Sequence, residues 1–174
     1  MLGTLVFIVT EVMMFAGFIS AFTISRANAG PGMWPPPGQP RLPAQATLLN
    51  TGVLLLSGVL LFVAYRGYKK EPQRATWPYL AAFLLGGAFV GLQGREWVGL
   101  LSQGLTLTSS TMGAFFYLIV GAHALHAVFA ILALAIGFVL LKRGKLGNGF
   151  FIAALTFWTF VVAMWPVIYL RVYF

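Results

Sequence analysis

Five long apolar runs alternate with four shorter connections along the chain. The runs cover about residues 2–25, 46–65, 77–101, 111–141 and 149–173. A helix that crosses a bilayer needs about 20 mostly apolar residues, because the hydrocarbon core is about 30 Å thick and each residue rises about 1.5 Å. All five runs meet that length, and the fourth exceeds it enough to tilt or to project from the bilayer. None alternates polar and apolar positions with period two. Each must be helical, because hydrocarbon offers no partner to free backbone N–H and C=O groups. The pattern predicts an all-α, polytopic bundle of five transmembrane helices, forming one membrane domain over residues 1–174.

The connections differ in character. The first, Arg26 to Ala44, holds the stretch GPGMWPPPGQPRLP. Its prolines exclude helix and sheet and stiffen the loop by fixing φ. Trp34 in its middle reads either as an interface anchor or as a partner contact. The second connection (Arg66 to Thr76) and the fourth (Lys142 to Asn148) are basic, whereas the third (Ser102 to Ser110) is uncharged.

Composition supports the membrane reading. The chain is 60% hydrophobic and 8% charged, whereas a soluble domain carries about 25% charged residues. Too few polar groups exist to cover a water-facing surface. The net charge of +8 would suggest nucleic acid in a soluble protein. Here the basic residues flank apolar runs, so they read as topology signals near anionic headgroups, with no nucleic-acid partner. Seven basic residues fall on the side of the N-terminus (Arg66, Lys69, Lys70, Arg74, Lys142, Arg143, Lys145) and four on the other (Arg26, Arg41, Arg95, Arg171). That bias predicts a cytoplasmic N-terminus in an inner (cytoplasmic) membrane. The first run lacks a basic flank and contains Glu11, so it reads as a retained helix rather than a cleaved signal. With no cysteine, disulfides and thiolate metal sites are excluded.

Few residues can carry chemistry. Glu11 lies about ten residues into the first run, near mid-bilayer. A carboxyl group there must be neutral, paired, or facing a wet or protein-lined space. Gln93 and Glu96 are i, i+3 neighbours, with Arg95 beside them as an expected local ion-pair partner. His123 and His126 share the i, i+3 spacing in the fourth run. Two such histidines could hold a metal only with further ligands, so hydrogen bonding to a carboxyl group on another helix, Glu11 among them, is the simpler expectation. Small residues (Gly17, Gly86, Gly87, Gly91, Gly113, Gly121, Gly137) are expected to allow close helix contact. Asn50 can donate across helices, and Pro166 removes a backbone bond from the fifth run. Two histidines are too few for a haem-copper centre. Phosphate-binding glycine loops, nucleophile elbows and paired catalytic carboxylates are absent from the sequence.

Several segments resemble subunit III of the haem-copper respiratory oxidases. Thr10-Glu11-Val12-Met13-Met14-Phe15-Ala16-Gly17-Phe18 resembles that family's glutamate-bearing helix. Met33-Trp34-Pro35-Pro36 resembles its Trp-Pro-Pro segment, and Leu48-Leu49-Asn50-Thr51 with Leu55-Leu56-Ser57-Gly58 resembles the start of its next helix. Gln93-Gly94-Arg95-Glu96-Trp97 and Gly121-Ala122-His123-Ala124-Leu125-His126 resemble its Gln-x-x-Glu-aromatic and Gly-x-His-x-x-His patterns. The matches occur in order over nearly the whole chain and include the five-helix form found in bacteria. One departs: Trp158-Thr159-Phe160-Val161-Val162 lacks the family's histidine and acid in the last helix. The branch therefore stays open between a cytochrome c oxidase, a quinol oxidase and an accessory subunit of a nitric oxide reductase.

The resemblance implies a bundle with a V-shaped, lipid-filled cleft, packed on the catalytic subunit I and other oxidase subunits. It implies no cofactor in this chain, haem and copper in the partner, and bound phospholipid. The role implied is non-catalytic: stabilising the catalytic subunit and supporting its proton uptake during O₂ reduction. Carried over by position, Glu11 is the family's buried carboxyl group, and Gln93, Glu96, His123 and His126 are its other interior polar groups. An independent proton or small-solute transporter using Glu11 and His126 is the alternative from a different class.

Overall fold

The computed structural model describes residues 2–30 and 32–174; Pro31, part of the predicted stiff loop, lies outside the described residues. Five helices run through the chain: α1 (Leu2–Asn28), α2 (Ala44–Lys70), α3 (Thr76–Ser102), α4 (Thr111–Lys142) and α5 (Asn148–Val172). A short 3-10 turn, Pro72–Ala75, leads into α3. All five helices are long and apolar enough to cross a membrane.

The helices match the predicted runs in number and order, but several ends differ. α1 continues through Arg26, Ala27 and Asn28, and α2 through Arg66 to Lys70. Lys and Arg are good helix formers, so backbone hydrogen bonding persists where the apolar composition stops. Lys69 and Lys70 in the last turn of α2 also favour the negative end of the helix dipole. Ser110 caps α4 by accepting the backbone N–H of Gly113 at 3.0 Å, satisfying one of the donors a helix start leaves free. α5 ends at Val172, one residue short of the predicted run, with Pro166 inside it.

Helices α2, α3, α4 and α5 form a ring in which each packs on the next and α5 closes on α2. α1 lies outside the ring in the groove between α4 and α5. Its inward residues follow a heptad-like spacing: Thr4, Ile8, Glu11, Phe15, Phe18, Phe22 and Ser25. Alternating steps of four and three are the pattern of helices packed lengthwise. Only Phe15 and Phe22 on this helix are fully buried; most of its other apolar side chains face outward, as expected in lipid.

The ring's interior is aromatic. Trp158 and Trp165, i, i+7 on α5, are wholly buried. Trp165 sits edge-on to Phe89 and tilted over the ring of His123. Gly86 makes room for Trp158: a Cβ there would lie 2.6 Å from the indole. Gly137 does the same for the Tyr79 hydroxyl, whereas a Cβ at Gly121 would only touch Trp97 at an ordinary 3.5 Å. Gly113 instead packs against its own preceding loop at Thr106. Gly17, Gly87 and Gly91 face open space, contrary to expectation, because they point out of the bundle. Trp34 folds back onto α1, its ring edge-on to Phe22 with centroids 5.5 Å apart.

Candidate functional site

Two polar centres lie within this apolar bundle. The first joins α1 to α4. Position 11 falls on the inward seam of α1, about 14 Å along the helix from Leu2 at a rise of about 1.5 Å per residue. Its Oε2 lies 2.9 Å from Nε2 of His126. His126 Nδ1 lies 2.7 Å from the backbone oxygen of Ala122. A carbonyl oxygen can only accept, so Nδ1 carries a hydrogen. Nε2 is therefore the nitrogen that faces the carboxyl group, in a close contact whose geometry falls short of a hydrogen bond: Oε2 has no hydrogen-bond partner among the described residues. A polar neighbour on another helix lowers the cost of placing an acid at this depth. Phe15 and Phe160 pack around the imidazole, and both partners are mostly shielded (side-chain exposures 12% and 16%).

The second centre lies between α2 and α3 and the end of α5. α2 turns an unusual face inward: Thr47, Asn50, Thr51 and Ser57 are all buried. Their spacing puts them on one side of the helix. Asn50 Nδ2 donates to Gln93 Oε1 at 3.2 Å. Gln93 Nε2 donates to Glu96 Oε2 at 3.0 Å and lies 3.2 Å from the Tyr173 hydroxyl. Thr47 Oγ1 lies 2.9 Å from both Glu96 Oε2 and the Pro43 carbonyl, so its single hydrogen serves one of them at a time. Burial first, and then the nearby Glu96 carboxylate, push the Tyr173 hydroxyl pKa up.

Further along the same face of α2, two indoles are tied in. Trp165 Nε1 donates to Thr51 Oγ1 at 2.9 Å. Trp158 Nε1 donates to Ser57 Oγ at 3.1 Å, and that hydroxyl donates to the Ala82 carbonyl of α3 at 2.7 Å. Ser57 thus links three helices. At the position where the resemblance expected an acid, Val162 packs on Gly58: a Cβ there would lie 3.0 Å from its Cγ1.

The predicted site residues divide between these centres. Glu11 and His126 meet in the first, and Gln93 and Glu96 in the second. His123 belongs to neither: it is buried beside Trp165, with no hydrogen-bond partner among the described residues for either ring nitrogen. Arg95 does not pair with Glu96 among the described residues. It is exposed, because a helix turns about 100° per residue and adjacent positions do not face each other. The sequence reading missed Thr47, Thr51, Ser57 and Tyr173. The inward stripe of hydroxyl residues on α2 was the signal that could have found the first three.

Metal ligation fits this donor set poorly. Both nitrogens of His126 are engaged, and no three His, Cys, Asp or Glu side chains cluster among the described residues. The arrangement can hold helices together, and it sets an acid and an imidazole side by side at Glu11 and His126.

Comparison with known proteins gives a chain-long match. The family model for cytochrome c oxidase subunit III covers residues 1–174. A probable cytochrome c oxidase subunit 3 of Nocardia farcinica is 31% identical over 180 residues, spanning 99% of this chain and 86% of that protein. The Corynebacterium diphtheriae cytochrome c oxidase subunit 3 is 32% identical, with the same coverage. The human cytochrome c oxidase subunit 3 is 34% identical over 179 residues, 98% of this chain and 67% of that protein.

Proposed function

The chain belongs to the cytochrome c oxidase subunit III family, and from that premise we propose that it docks on the haem- and copper-bearing catalytic subunit, stabilising it and supporting its proton uptake. As a member of that family it is a multi-pass membrane protein, a non-catalytic oxidase subunit that associates with other subunits of the complex. The proposed setting is the cell's inner membrane, with the N-terminus cytoplasmic, in agreement with the excess of basic residues on that side. Electrons would reach the partner from cytochrome c.

The Glu11–His126 contact carries the proposed role best. It sets an acid beside an imidazole inside the bundle, and it fastens α1, the helix with least internal burial, to the ring. Phospholipid is the second proposed partner. A groove of about 480 Å³ between α2 and α3 has apolar walls (Leu49, Val53, Leu92) with Arg41 and Arg95 also lining it. That combination suits an acyl chain under an anionic headgroup.

The test is purification of the tagged chain in mild detergent, followed by absorption spectroscopy and mass spectrometry. Haem should co-purify together with a large, histidine-rich polytopic subunit, and a donor assay should show oxidation of cytochrome c. A colourless chain without a partner, taken from membranes that contain active oxidase, would overturn the reading. Proton flux through the isolated chain in liposomes would then favour a transporter.

A further inference from the structure

A cavity of about 200 Å³ lies between α3 and α4, with α5 at its back. Its walls are mostly apolar, built from residues such as Phe89, Val120 and Trp165. Three polar side chains interrupt them: His123, Trp97 and Gln93. His123 is 1% exposed, and neither of its ring nitrogens meets a protein partner. The indole N–H of Trp97 is also buried without one. Gln93 is 5% exposed and its Oε1 receives one bond, from Asn50, which leaves a second lone pair unused.

Leaving such groups bare is destabilising, because each has given up water without a replacement bond. The available bonds define what would satisfy them. Trp97 needs an acceptor. His123 needs a donor at one nitrogen and an acceptor at the other, whichever tautomer it adopts. Gln93 Oε1 can take a donor. An acyl chain supplies neither function, an anion cannot donate, and a cation cannot accept. Water does both, and a buried site suits it when two to four polar partners converge and space allows about 30 Å³ per molecule. The volume condition is met, and His123, Trp97 and Gln93 all belong to the lining of this one cavity.

We propose that this cavity is a hydration site, in which ordered water bridges His123 to the Trp97 indole and the Gln93 carbonyl. The bridge extends the Thr47–Asn50–Gln93–Glu96 network from the α2–α3 interface across to α4. It makes His123 part of a continuous polar path rather than an isolated imidazole. The proposal concerns the interior of this chain and holds whichever oxidase branch the complex represents.

The experiment is a cryo-electron-microscopy map of the intact purified complex at a resolution that shows ordered water elsewhere in the chain. The expected result is at least one discrete peak within hydrogen-bond distance of a His123 nitrogen and of Trp97 Nε1 or Gln93 Oε1. In His123→Leu that peak should vanish while the helices stay in place, and in Trp97→Phe the peak beside the indole nitrogen should weaken or go. Should these variants fail to assemble, the wild-type map alone decides. Continuous tubular density of an acyl chain, a partner side chain filling the space, or an empty cavity beside well-resolved water elsewhere would each overturn the proposal.

Discussion

Replacing Glu11 by leucine separates a polar contact from mere shape at the α1–α4 seam. Leucine has similar bulk and is at home in a bilayer, so composition alone predicts a gain. The geometry predicts a loss. Glu11 Oε2 is 2.9 Å from His126 Nε2, and the other ring nitrogen is already committed to Ala122. Removing the acid leaves Nε2 shielded and unpaired, which costs about 1–3 kcal/mol in a water-soluble protein. Polar contacts between membrane helices are weaker, averaging about 0.6 and reaching about 1.7 kcal/mol. The expected cost is therefore about 1 kcal/mol, or about fivefold in the docking equilibrium of α1. Few other contacts mask it, because α1 fully buries only Phe15 and Phe22 and packs on two helices, α4 and α5, with Trp34 against Phe22.

The conservative and paired variants complete the cycle. Glu11→Gln keeps a donor for Nε2 and should leave docking nearly unchanged. His126→Leu strands the acid and should cost at least as much as Glu11→Leu. The double variant Glu11→Leu/His126→Leu removes both polar groups, so it should be more stable than His126→Leu alone, with a coupling of about 1 kcal/mol. The readout is the ratio of this chain to haem in the purified complex along a thermal or denaturant series. Strict additivity of the two single losses would refute the pairing argument, as would equal retention of Glu11→Gln and Glu11→Leu.

Three further outcomes follow from the packing. Gly86→Ala should destabilise the complex by about 1–3 kcal/mol, since its Cβ would meet Trp158 at 2.6 Å and Ile131 at 2.7 Å; Gly87→Ala, which meets nothing within 4 Å, should leave the melting temperature unchanged. Ser57→Ala removes the acceptor of the buried Trp158 indole and should cost about 1–3 kcal/mol, read as a lower melting temperature, with Ser57→Thr closer to wild type. Tyr173 has a raised pKa, so in the folded chain it keeps its proton while an unfolded copy ionises above its ordinary value of 10.0. The stability it contributes is complete below that pH and falls as pH rises beyond it; Tyr173→Phe should flatten that part of the pH–stability curve, and an unchanged slope would count against the buried hydroxyl.

The sequence and the structure agree best where physics leaves one choice. Twenty-odd apolar residues in hydrocarbon must be helical, so the five spans could be read directly. Their ends could not, because composition marks where hydrocarbon stops and not where backbone bonding stops; α2 runs on through Tyr68, Lys69 and Lys70. Glu11, Gln93, Glu96, His123 and His126 stood out as polar residues in apolar runs, yet their pairings were only partly legible. His123 and His126 share a spacing, but three residues leave them about 60° apart around the helix. One therefore meets α1 and the other turns to Trp165. Thr47, Thr51 and Ser57 were missed because each is unremarkable alone, and only their common face on α2 marks them.

That division explains how such an apolar chain specifies one arrangement. Between membrane helices, apolar contact discriminates weakly, since lipid tails are as apolar as leucine. Shape and polar pairing must supply the specificity. Three seams carry a directional bond: Asn50–Gln93 and Thr47–Glu96 for α2 on α3, Trp165–Thr51 for α5 on α2, and the Tyr79 hydroxyl to the Leu134 carbonyl for α3 on α4; the close Glu11–His126 contact marks α1 on α4, and α4 on α5 relies on shape. A helix slid by one turn would move about 5.4 Å and break the bond at its seam with no water to replace it. The polar residues that first read as candidates for chemistry thus also set the register of the helices. For a non-catalytic subunit that associates with others in an oxidase complex, fixing that register is part of the function.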